Sequence, residues 1–321
     1  MKACVVALLG AVLLAPSAAA QDYPSKPLQF IVPFSAGSSP DVMTRIITED
    51  LARELGQTIV VENRVGAGGN IAADYASRQP GDGYTVFVGT TGNMAVAKSL
   101  VPTLSYDSEK AFTPVSIGWI TWNLLIVPAD SKLNSVPDVI KEAKANPGRL
   151  NYGSPGIGTA GHLAGEWFKK LTGTEIAHVP YRGQIQVVQD LLAGTIQLSF
   201  ETIGSAIPVI KNNQVKALAV TSKARLPQLP DVPTFTEMGV IGLDLSGWGM
   251  FVVPAATPPE VVRKLNAGLV KSMSKPAVRD RIDALGVKTT PSSPEEARAM
   301  LTEEVAKWRQ IVQAANVRLD N

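Results

Sequence analysis

The sequence predicts an α/β protein made of two halves, each a mainly parallel sheet flanked by helices. Short apolar runs alternate with helical patterns along the chain, an order typical of parallel strands joined by helices. Loops rich in glycine and serine follow several of these runs. The same series of strand, loop and helix begins again after residue 127, which indicates the second half.

Length and charge limit the classes of function that fit this chain. Its 321 residues are 45% hydrophobic and 18% charged, which is enough for one large domain or two medium ones. Lys and Arg number 30 and Asp and Glu number 28, so the formal net charge is +2. Because the sequence also has no basic stripe with interleaved aromatic residues, we expect no nucleic-acid partner.

The first twenty residues have the pattern of a secretory signal peptide. Lys2 precedes an apolar run at 5–14, and the small residues at 18–20 predict cleavage before Gln21. Cys4, the only cysteine, precedes the apolar run, so we expect a mature chain without a disulfide or a reactive thiolate. No later run reaches the roughly 18 apolar residues of a membrane span. The sequence therefore predicts an exported protein without a span of its own.

The first half is predicted to contain three β–α units. In the first unit, Ser39 is the expected N-cap of a helix, Pro40 lies in its first turn and Gly56 ends it. Right-handed crossovers bring the loops after the strands to one edge of the sheet. The strands are expected at 28–34, 58–61 and 84–88, and the loops after them at 33–41, 64–70 and 90–93.

Two apolar segments, 119–127 and 246–253, are interpreted as the outward and return crossings between the halves. After the second crossing the sequence predicts two amphipathic helical stretches, the last of which starts with a capping box of Ser293 and Glu296. Between the crossings, helices are expected at 137–145 and 163–171, and strands at 150–152, 176–179, 197–200 and 216–220. The resulting division is a signal peptide at 1–20, domain 1 at 21–123 plus 247–321, and domain 2 at 124–246.

Gly156, Gly158 and Gly161 form a G-x-G-x-x-G sequence between a predicted strand and a predicted helix, the spacing of a dinucleotide-phosphate loop. A dinucleotide site also needs an acidic residue at the end of the next strand. Glu175 has roughly the right spacing but precedes that strand, so it would lie at the wrong end of the sheet. An α/β nucleotide-binding enzyme that uses the 156–161 loop therefore stays as the alternative to the binding of another anion.

The loops at 33–41 and 153–161 have the same design. Each combines small residues and hydroxyls with the start of a helix, where free N–H groups and the helix dipole favour an anion. Two such clusters that face each other hold one carboxylate by charge-assisted hydrogen bonds without an arginine. The loops at 64–70 and 90–93 share the same sheet edge and are expected to line the same cleft.

Nothing in the sequence predicts catalysis, a metal site or a cofactor. The chain has no G-x-S-x-G elbow, no G-x-x-x-x-G-K-[ST] loop and no H-E-x-x-H helix. Two histidines without a mature cysteine do not favour a zinc site. His178 lies in an apolar strand and is expected in the core, whereas His162 either faces the cleft or caps the turn.

Several stretches together resemble the solute receptors of tripartite tricarboxylate transporters, often called Bug receptors. They include YPSKPLQFIVPFSAG at 23–37, VVENRVGAGGNIAAD at 60–74, LNYGSPGIGTAGHLAGE at 150–166 and HVPYRG at 178–183. The resemblance implies a periplasmic type II binding protein, expected to be a monomer. Its two domains would close on a small di- or tricarboxylate or aromatic acid and deliver it to the membrane components of a transporter. A carboxylate receptor that feeds a sensor protein fits the same sequence.

The resemblance implies that the ligand is held by residues 34–39 and 154–159. Arg182 and the pair Glu201-Thr202 depart from the usual family pattern, and these positions are expected to face the far end of the ligand. Trp122, beside the first crossing, favours an aromatic or bulky ligand that stacks on its ring. The predicted ligand-binding residues are Phe34, Ser35, Ala36, Gly37, Ser38, Ser39, Gly68, Thr90, Asn93, Trp122, Ser154, Gly156, Gly158, Thr159, His162, Tyr181, Arg182 and Glu201.

Overall fold

The computed structural model describes residues 23–315, so the predicted signal peptide and Cys4 lie outside the described residues. The strands are β1 (Leu28–Val32), β2 (Ile59–Asn63), β3 (Thr85–Thr90), β4 (Phe112–Pro128), β5 (Asn151–Ser154), β6 (Ala177–Pro180), β7 (Leu198–Thr202), β8 (Val215–Val220), β9 (Ser246–Pro254) and β10 (Lys288–Thr289). The helices are α1 (Ser39–Leu55), α2 (Asn70–Ser77), α3 (Ala97–Leu100), α4 (Ser108–Ala111), α5 (Val136–Ala145), α6 (Ala160–Thr172), α7 (Gln184–Leu192), α8 (Ile203–Lys211), α9 (Pro259–Ser274), α10 (Pro276–Asp283) and α11 (Pro294–Ala315).

The strands form one mixed sheet in the order β2-β1-β3-β9-β4-β7-β5-β6, and β8 and β10 also pair with β4. The outer strands are parallel, because β1 pairs with β2 and β3, and β5 pairs with β6 and β7. The central strand β9 runs antiparallel to both β3 and β4. The predicted α/β class is confirmed, with parallel pairing in the outer parts of the sheet and an antiparallel centre.

Strand β4 changes its partners along its length. Residues 112–122 pair with β9, whereas residues 123–126 pair with β7 and residues 124–128 pair with β8. The two segments interpreted as crossings are therefore long central strands. We call residues 23–122 with 246–315 the first half, and residues 123–245 the second half. The division into two domains at nearly these positions stays a prediction.

Helix α1 begins close to the predicted residue. Ser38, with an extended backbone, is the N-cap and Ser39 is the first helical residue, so the prediction of Ser39 as the cap was wrong by one position. Both serines suit a cap, and a proline is accepted in either the first or the second helical position, so the local pattern does not distinguish them. Gly56 ends the helix with a φ of 65°, a left-handed conformation that glycine adopts without strain.

The C-terminal part contains three helices where two were predicted. Helices α9 and α10 meet at Lys275 and Pro276, and the proline begins the new helix because it has no N–H to continue the old one. The capping box of α11 is confirmed: Ser293 N–H donates to Glu296 Oε2 at 2.8 Å, and Glu296 N–H donates to Ser293 Oγ at 3.1 Å. Helices α7 and α8 of the second half were missed by the sequence reading.

The core lies on both faces of the sheet. Neighbouring residues of one strand alternate between two apolar clusters: Phe87 belongs to one, and Val86 and Val88 belong to the other. This arrangement explains why the strands read as continuous apolar runs. Within the part of the chain that the structure describes, no helix has both the length and the apolar character needed to cross a membrane.

Candidate ligand-binding site

A cavity lies where the loops of the two halves meet the central strands. The first half contributes Phe34, Ser38, Ser39, Pro40, Thr90, Thr91, Gly92, Trp119, Thr121, Gly247 and Trp248 to its lining. The second half contributes Asn123, Pro155, Thr159, Ala160, Gly161, Gln184, Phe200 and Thr202. Among the described residues, every lining side chain is uncharged, and the polar ones are hydroxyls and amides. Any ligand here is held by neutral donors and aromatic walls.

Three hydroxyls of the lining are buried without a partner. Ser38 and Ser39 are each 2% exposed and Thr121 is 6% exposed. Within residues 23–315, no group hydrogen-bonds to Ser38 Oγ, Ser39 Oγ or Thr121 Oγ1. A buried polar group without a partner costs about 1–3 kcal/mol, and such groups are rare in folded proteins. These three hydroxyls are therefore the donors of the lining that have no partner within the described residues.

The loop after β1 is held in shape by a buried carboxylate. Asp41 accepts hydrogen bonds from Gly37 N–H at 2.9 Å, Arg45 Nε at 3.0 Å and Asn63 Nδ2 at 2.8 Å. Asn63 Nδ2 also donates to the Phe34 carbonyl oxygen at 2.8 Å. Burial opposes the charged form, but the hydrogen bonds prevail and lower the pKa of Asp41 below its ordinary value. Asp41 and Asn63 thus position the loop that brings Ser38 to the cavity.

The loop after β5 depends on its glycines. Gly156 and Gly158 have φ angles of 129° and 79°, which glycine tolerates and other residues resist. Thr159 caps this turn by donating its hydroxyl to the Gly156 carbonyl oxygen at 2.7 Å. A Cβ on Gly161 would lie 2.4 Å from the Phe200 carbonyl oxygen, so this glycine lets α6 pack on β7. Each glycine of the G-x-G-x-x-G sequence has a local structural reason that involves no nucleotide.

The turn after β3 is fixed by its own side chains. Thr90 N–H donates to Asn93 Oδ1 at 2.9 Å, and Asn93 Nδ2 donates to Thr90 Oγ1 at 3.0 Å. Thr91 Oγ1 accepts a hydrogen bond from Trp248 N–H at 3.0 Å. This turn brings Thr91 and Gly92 to the cavity, while the Asn93 amide is used in the turn itself.

The two halves touch around the cavity. A Cβ added to Gly92 of the first half would lie 2.9 Å from the Gly158 carbonyl oxygen of the second half. Ser39 N–H, in the first turn of α1, donates to Ser205 Oγ of α8 at 3.2 Å. The two halves are therefore in direct contact at the edges of the cavity.

Strand β4 presents alternate side chains to the cavity. Trp119, Thr121 and Asn123 line it, whereas Ile120 and Trp122 lie on the opposite face and line a separate pocket. The Asn123 amide donates to the Phe200 carbonyl oxygen at 3.2 Å. The indole of Trp122 is thus not positioned to stack on a ligand in the main cavity. The position of Trp122 therefore gives no reason to expect an aromatic ligand there.

Five of the predicted ligand-binding residues come together at the cavity, namely Phe34, Ser38, Ser39, Thr90 and Thr159. Several others lie behind the lining and shape it. Ser154, Gly156, Gly158 and His162 are buried in and beneath the loop after β5, and Asn93 is bound within its turn.

The remaining predicted residues lie elsewhere. Ser35 is half-buried beside Gly183, and Ala36 and Gly37 are exposed at the loop tip. Gly68 contacts the second half, since a Cβ there would lie 2.5 Å from the Ile157 carbonyl oxygen.

Tyr181 and Arg182 lie beside the cavity without lining it. The Tyr181 hydroxyl donates to Asp190 Oδ2 at 2.7 Å, and burial together with this carboxylate raises the pKa of Tyr181 to about 12. Arg182 is exposed, and its backbone N–H donates to Gln186 Oε1 at 3.3 Å.

Glu201 is fully buried on the face of β7 opposite the cavity, since its neighbours Phe200 and Thr202 line the cavity. Thr202 Oγ1 donates to Glu201 Oε1 at 3.5 Å, while Glu201 Oε2 finds no partner among the described residues. Burial raises the pKa of Glu201 to about 8. This carboxyl is therefore protonated at neutral pH and contributes no charge to the site.

The sequence reading missed lining residues from the central strands and from the second half. Thr121, Asn123 and Trp119 lie in a segment that was recognised only as a crossing. Gln184 lies at the start of α7, a helix that was not predicted, whereas Thr202, at the start of α8, was expected at the far end of the ligand. The sequence signal for this part of the site was a pair of polar residues, Thr121 and Asn123, within an otherwise apolar strand. A polar side chain buried in a central strand needs a hydrogen-bond partner, and a ligand can be that partner.

Fold and site together define a class: an α/β protein of the type II periplasmic binding fold, with a cavity between its two halves. The structure of the periplasmic binding protein BugD is similar to this chain, with a TM-score of 0.89, 31% sequence identity, and coverage of 92% of this chain and 99% of that one.

The particular family follows from the sequence. Residues 43–317 match the family model described as the tripartite tricarboxylate transporter family receptor. The chain belongs to this family, and the resemblance inferred from its motifs is confirmed. BugT of Bordetella pertussis is 32% identical over 307 residues, which cover 95% of this chain and 94% of BugT.

A further solved relative was determined with a carboxylate. MatC of Rhodopseudomonas palustris, with bound malate, has a TM-score of 0.86 and 30% identity and covers 90% of this chain and 100% of its own. The family is one of solute receptors, so a receptor is the class of function that the comparisons support.

Proposed function

We propose that this protein is a periplasmic receptor that captures one small organic carboxylate by closure of its two halves and delivers it to a tripartite membrane transporter. The observation that carries the proposal is the set of unpartnered hydroxyls of Ser38, Ser39 and Thr121 in an uncharged cavity. A carboxylate supplies acceptor oxygens for such hydroxyls, and hydrogen bonds to a charged acceptor are the stronger ones.

Closure follows from the position of these donors. The hydroxyls of Ser38 and Ser39 belong to the first half, whereas the side-chain amide of Gln184 belongs to the second half. A ligand that contacts both sets has its full complement of hydrogen bonds only in the closed arrangement, so it shifts the population toward closure. No covalent step is part of this proposal, and the protein acts as a binder.

The ligand class is bounded by the lining. Since no cationic side chain lines the cavity within the described residues, each carboxylate of the ligand is stabilised by hydrogen bonds from neutral donors alone. Trp119, Phe200 and Trp248 supply apolar walls for the rest of the molecule. The malate bound to MatC makes small dicarboxylates the first compounds to test, followed by tricarboxylates and aromatic acids.

Export and delivery complete the proposal. We propose that the signal peptide is cleaved near Ala20 and that the mature protein is a periplasmic monomer. The N-terminal sequence of the protein from a periplasmic fraction is expected to start at Gln21, and light scattering is expected to give the mass of one chain.

A thermal-shift screen of the purified mature protein tests the binding function. A ligand present at about 100 times its Kd stabilises the folded state by roughly 2.7 kcal/mol. We expect a shift with at least one carboxylate of the panel and none with its uncharged amide. A shift with nucleotides but with no carboxylate would contradict the proposal and favour a nucleotide-binding protein.

A further inference from the structure

Two imidazole rings lie beneath the loop after β5, on the side away from the cavity. His178 of β6 places Nε2 2.7 Å from Ser154 Oγ, and His162 of α6 places Nδ1 3.1 Å from the Gly158 nitrogen, whose N–H donates to it. The ring centroids are 4.2 Å apart and the ring planes make an angle of 35°. His162 is 4% exposed. Neither ring lines the cavity, and the proposed function uses neither.

The hydrogen bonds determine the protonation that this loop requires. His162 Nδ1 accepts from Gly158 N–H, so this nitrogen carries no proton. Ser154 Oγ accepts from Gly156 N–H at 3.3 Å, which leaves the hydroxyl hydrogen for His178 Nε2 or for the Gly156 carbonyl oxygen. A proton on His162 Nδ1 removes the acceptor for Gly158, and two cationic rings at this separation repel each other.

Other titratable groups around the pair come from α6 and β5. Tyr152 OH donates to Glu166 Oε1 at 2.7 Å, and Lys169 Nζ donates to the same oxygen at 2.8 Å. Burial first, and then Lys169, lower the pKa of His162 to about 4. Burial and His162 lower the pKa of His178 to about 3, Glu166 opposes this shift, and Lys169 adds to it. The environment therefore keeps both rings neutral under neutral conditions.

The two groups that bond to the imidazoles, Ser154 Oγ and Gly158 N–H, belong to the loop that borders the cavity. Gly158 directly precedes Thr159, which lines the cavity. The Gly158 carbonyl oxygen faces Gly92 of the first half. Since Gly156 and Gly158 have left-handed backbones, the loop has little intrinsic preference for this shape and depends on its hydrogen bonds.

We propose that His162 and His178, both neutral, are positioning residues that hold the loop 154–159 in its ligand-binding shape, and that protonation of the pair releases the loop and the ligand. This inference rests on the proposed carboxylate site. It predicts that the affinity for the carboxylate depends on pH through two histidines of the protein, in addition to the ionisation of the ligand.

The first test compares two variants of one residue. In His162→Asn the amide oxygen replaces Nδ1 as an acceptor and does not titrate, whereas His162→Leu keeps apolar volume and removes the acceptor. At about pH 7, with a carboxylate from the screen measured by calorimetry, we expect affinity to fall about tenfold or more in His162→Leu and to stay within about threefold of wild type in His162→Asn. Circular dichroism establishes that each variant is folded.

The second test separates the protein's protons from those of the ligand. The double variant His162→Asn/His178→Gln has acceptors in place of both rings and no imidazole. Because wild type and double variant bind the same ligand, the ionisation of that ligand cancels in the ratio of their dissociation constants. We expect the ratio of wild-type to variant Kd to rise about twofold as the pH falls from about 6 to about 4, because the pKa of His162 is about 4. If His162→Leu fails to fold, the pH dependence of this ratio tests the positioning role of the two histidines by itself.

The outcomes distinguish the two proposals. A wild-type protein that binds no carboxylate would overturn the proposed function together with this inference. Carboxylate binding by wild type with equal affinity in His162→Leu, or with a ratio that does not change with pH, would overturn the positioning role and leave the proposed function intact.

Discussion

Gly92 of the first half contacts the carbonyl oxygen of Gly158 in the second half so closely that a Cβ at position 92 would lie 2.9 Å from that oxygen. The contact joins the turn after β3 to the loop after β5, and both flank the cavity. Because the two residues belong to different halves, the closure that we propose would depend on this close approach.

Gly92→Ala is expected to weaken ligand binding by hindering closure. The neighbouring atom is a backbone oxygen that has no rotamer to change, so the added methyl costs about 1–3 kcal/mol, or about five- to 150-fold in Kd. Calorimetric titration with the carboxylate measures the effect. The matched control is Gly183→Ala at the same boundary, where the added Cβ meets the rotatable Ser35 hydroxyl at 3.1 Å and the loss is expected to be smaller. Equal affinities of wild type and Gly92→Ala would contradict the closure account.

Removal of the unpartnered hydroxyls is expected to have opposite effects on binding and on stability. Ser38→Ala, Ser39→Ala and Thr121→Val each delete a donor to the ligand, which costs about 1.5–3 kcal/mol of affinity when the acceptor is charged. The melting temperature of the ligand-free protein is expected to stay unchanged or rise, because a buried group without a partner is removed. Ser99→Ala is the control, since its hydroxyl is also unpartnered within the described residues but lies outside the cavity lining. Loss of stability with unchanged affinity would show that the hydroxyls serve the fold.

Asp41→Asn is expected to disturb the loop after β1. The neutral amide weakens the bonds from Arg45, Asn63 and Gly37, so we expect a loss of about 1–3 kcal/mol in the free energy of unfolding. Because the pKa of Asp41 is lowered in the folded state, its contribution is present above its unfolded pKa and is lost as the pH falls through the folded value. Denaturant unfolding of wild type and variant measures both effects. Glu49→Gln, at an exposed ion pair with Arg281, is the control and is expected to change the free energy of unfolding less than Asp41→Asn does, because solvent screens an exposed pair. Equal costs for the two variants would rule out a special role for Asp41.

Glu201→Gln is expected to change how stability depends on pH. The folded state keeps Glu201 protonated up to about pH 8, whereas the unfolded chain loses this proton near its ordinary pKa, so wild type loses stability as the pH rises from about 4.5 to about 8. The variant lacks this term, and its melting temperature relative to wild type is expected to increase across that interval. A constant difference across the interval would show that Glu201 is ionised in the folded protein or titrates normally.

The order of the elements was predictable because it depends on local patterns. The apolar strands, the helix stop at Gly56 and the capping box of Ser293 with Glu296 need only a few neighbouring residues. The boundaries moved by one or two residues where two good capping residues adjoin, as with Ser38 and Ser39.

Half of the cavity was not predictable, because the orientation of the central strands depends on distant pairing. Strand β4 has register shifts against β9 between Pro114 and Ser116 and between Ile117 and Trp119. Such irregularities decide which face a residue occupies, so Trp122 was expected at the cleft although Thr121 lies there. The support given by Asn63 to the loop after β1 joins residues 29 positions apart, and nothing local to either residue indicates it.

The most direct test of the account is a calorimetric titration of the mature wild-type protein and of the triple variant Ser38→Ala/Ser39→Ala/Thr121→Val with one carboxylate and with its uncharged amide. We expect wild type to bind the carboxylate with one site per chain and not to bind the amide. We expect the triple variant to lose most of the affinity while it stays folded. Equal binding of carboxylate and amide, or undiminished carboxylate binding by the triple variant, would contradict the account.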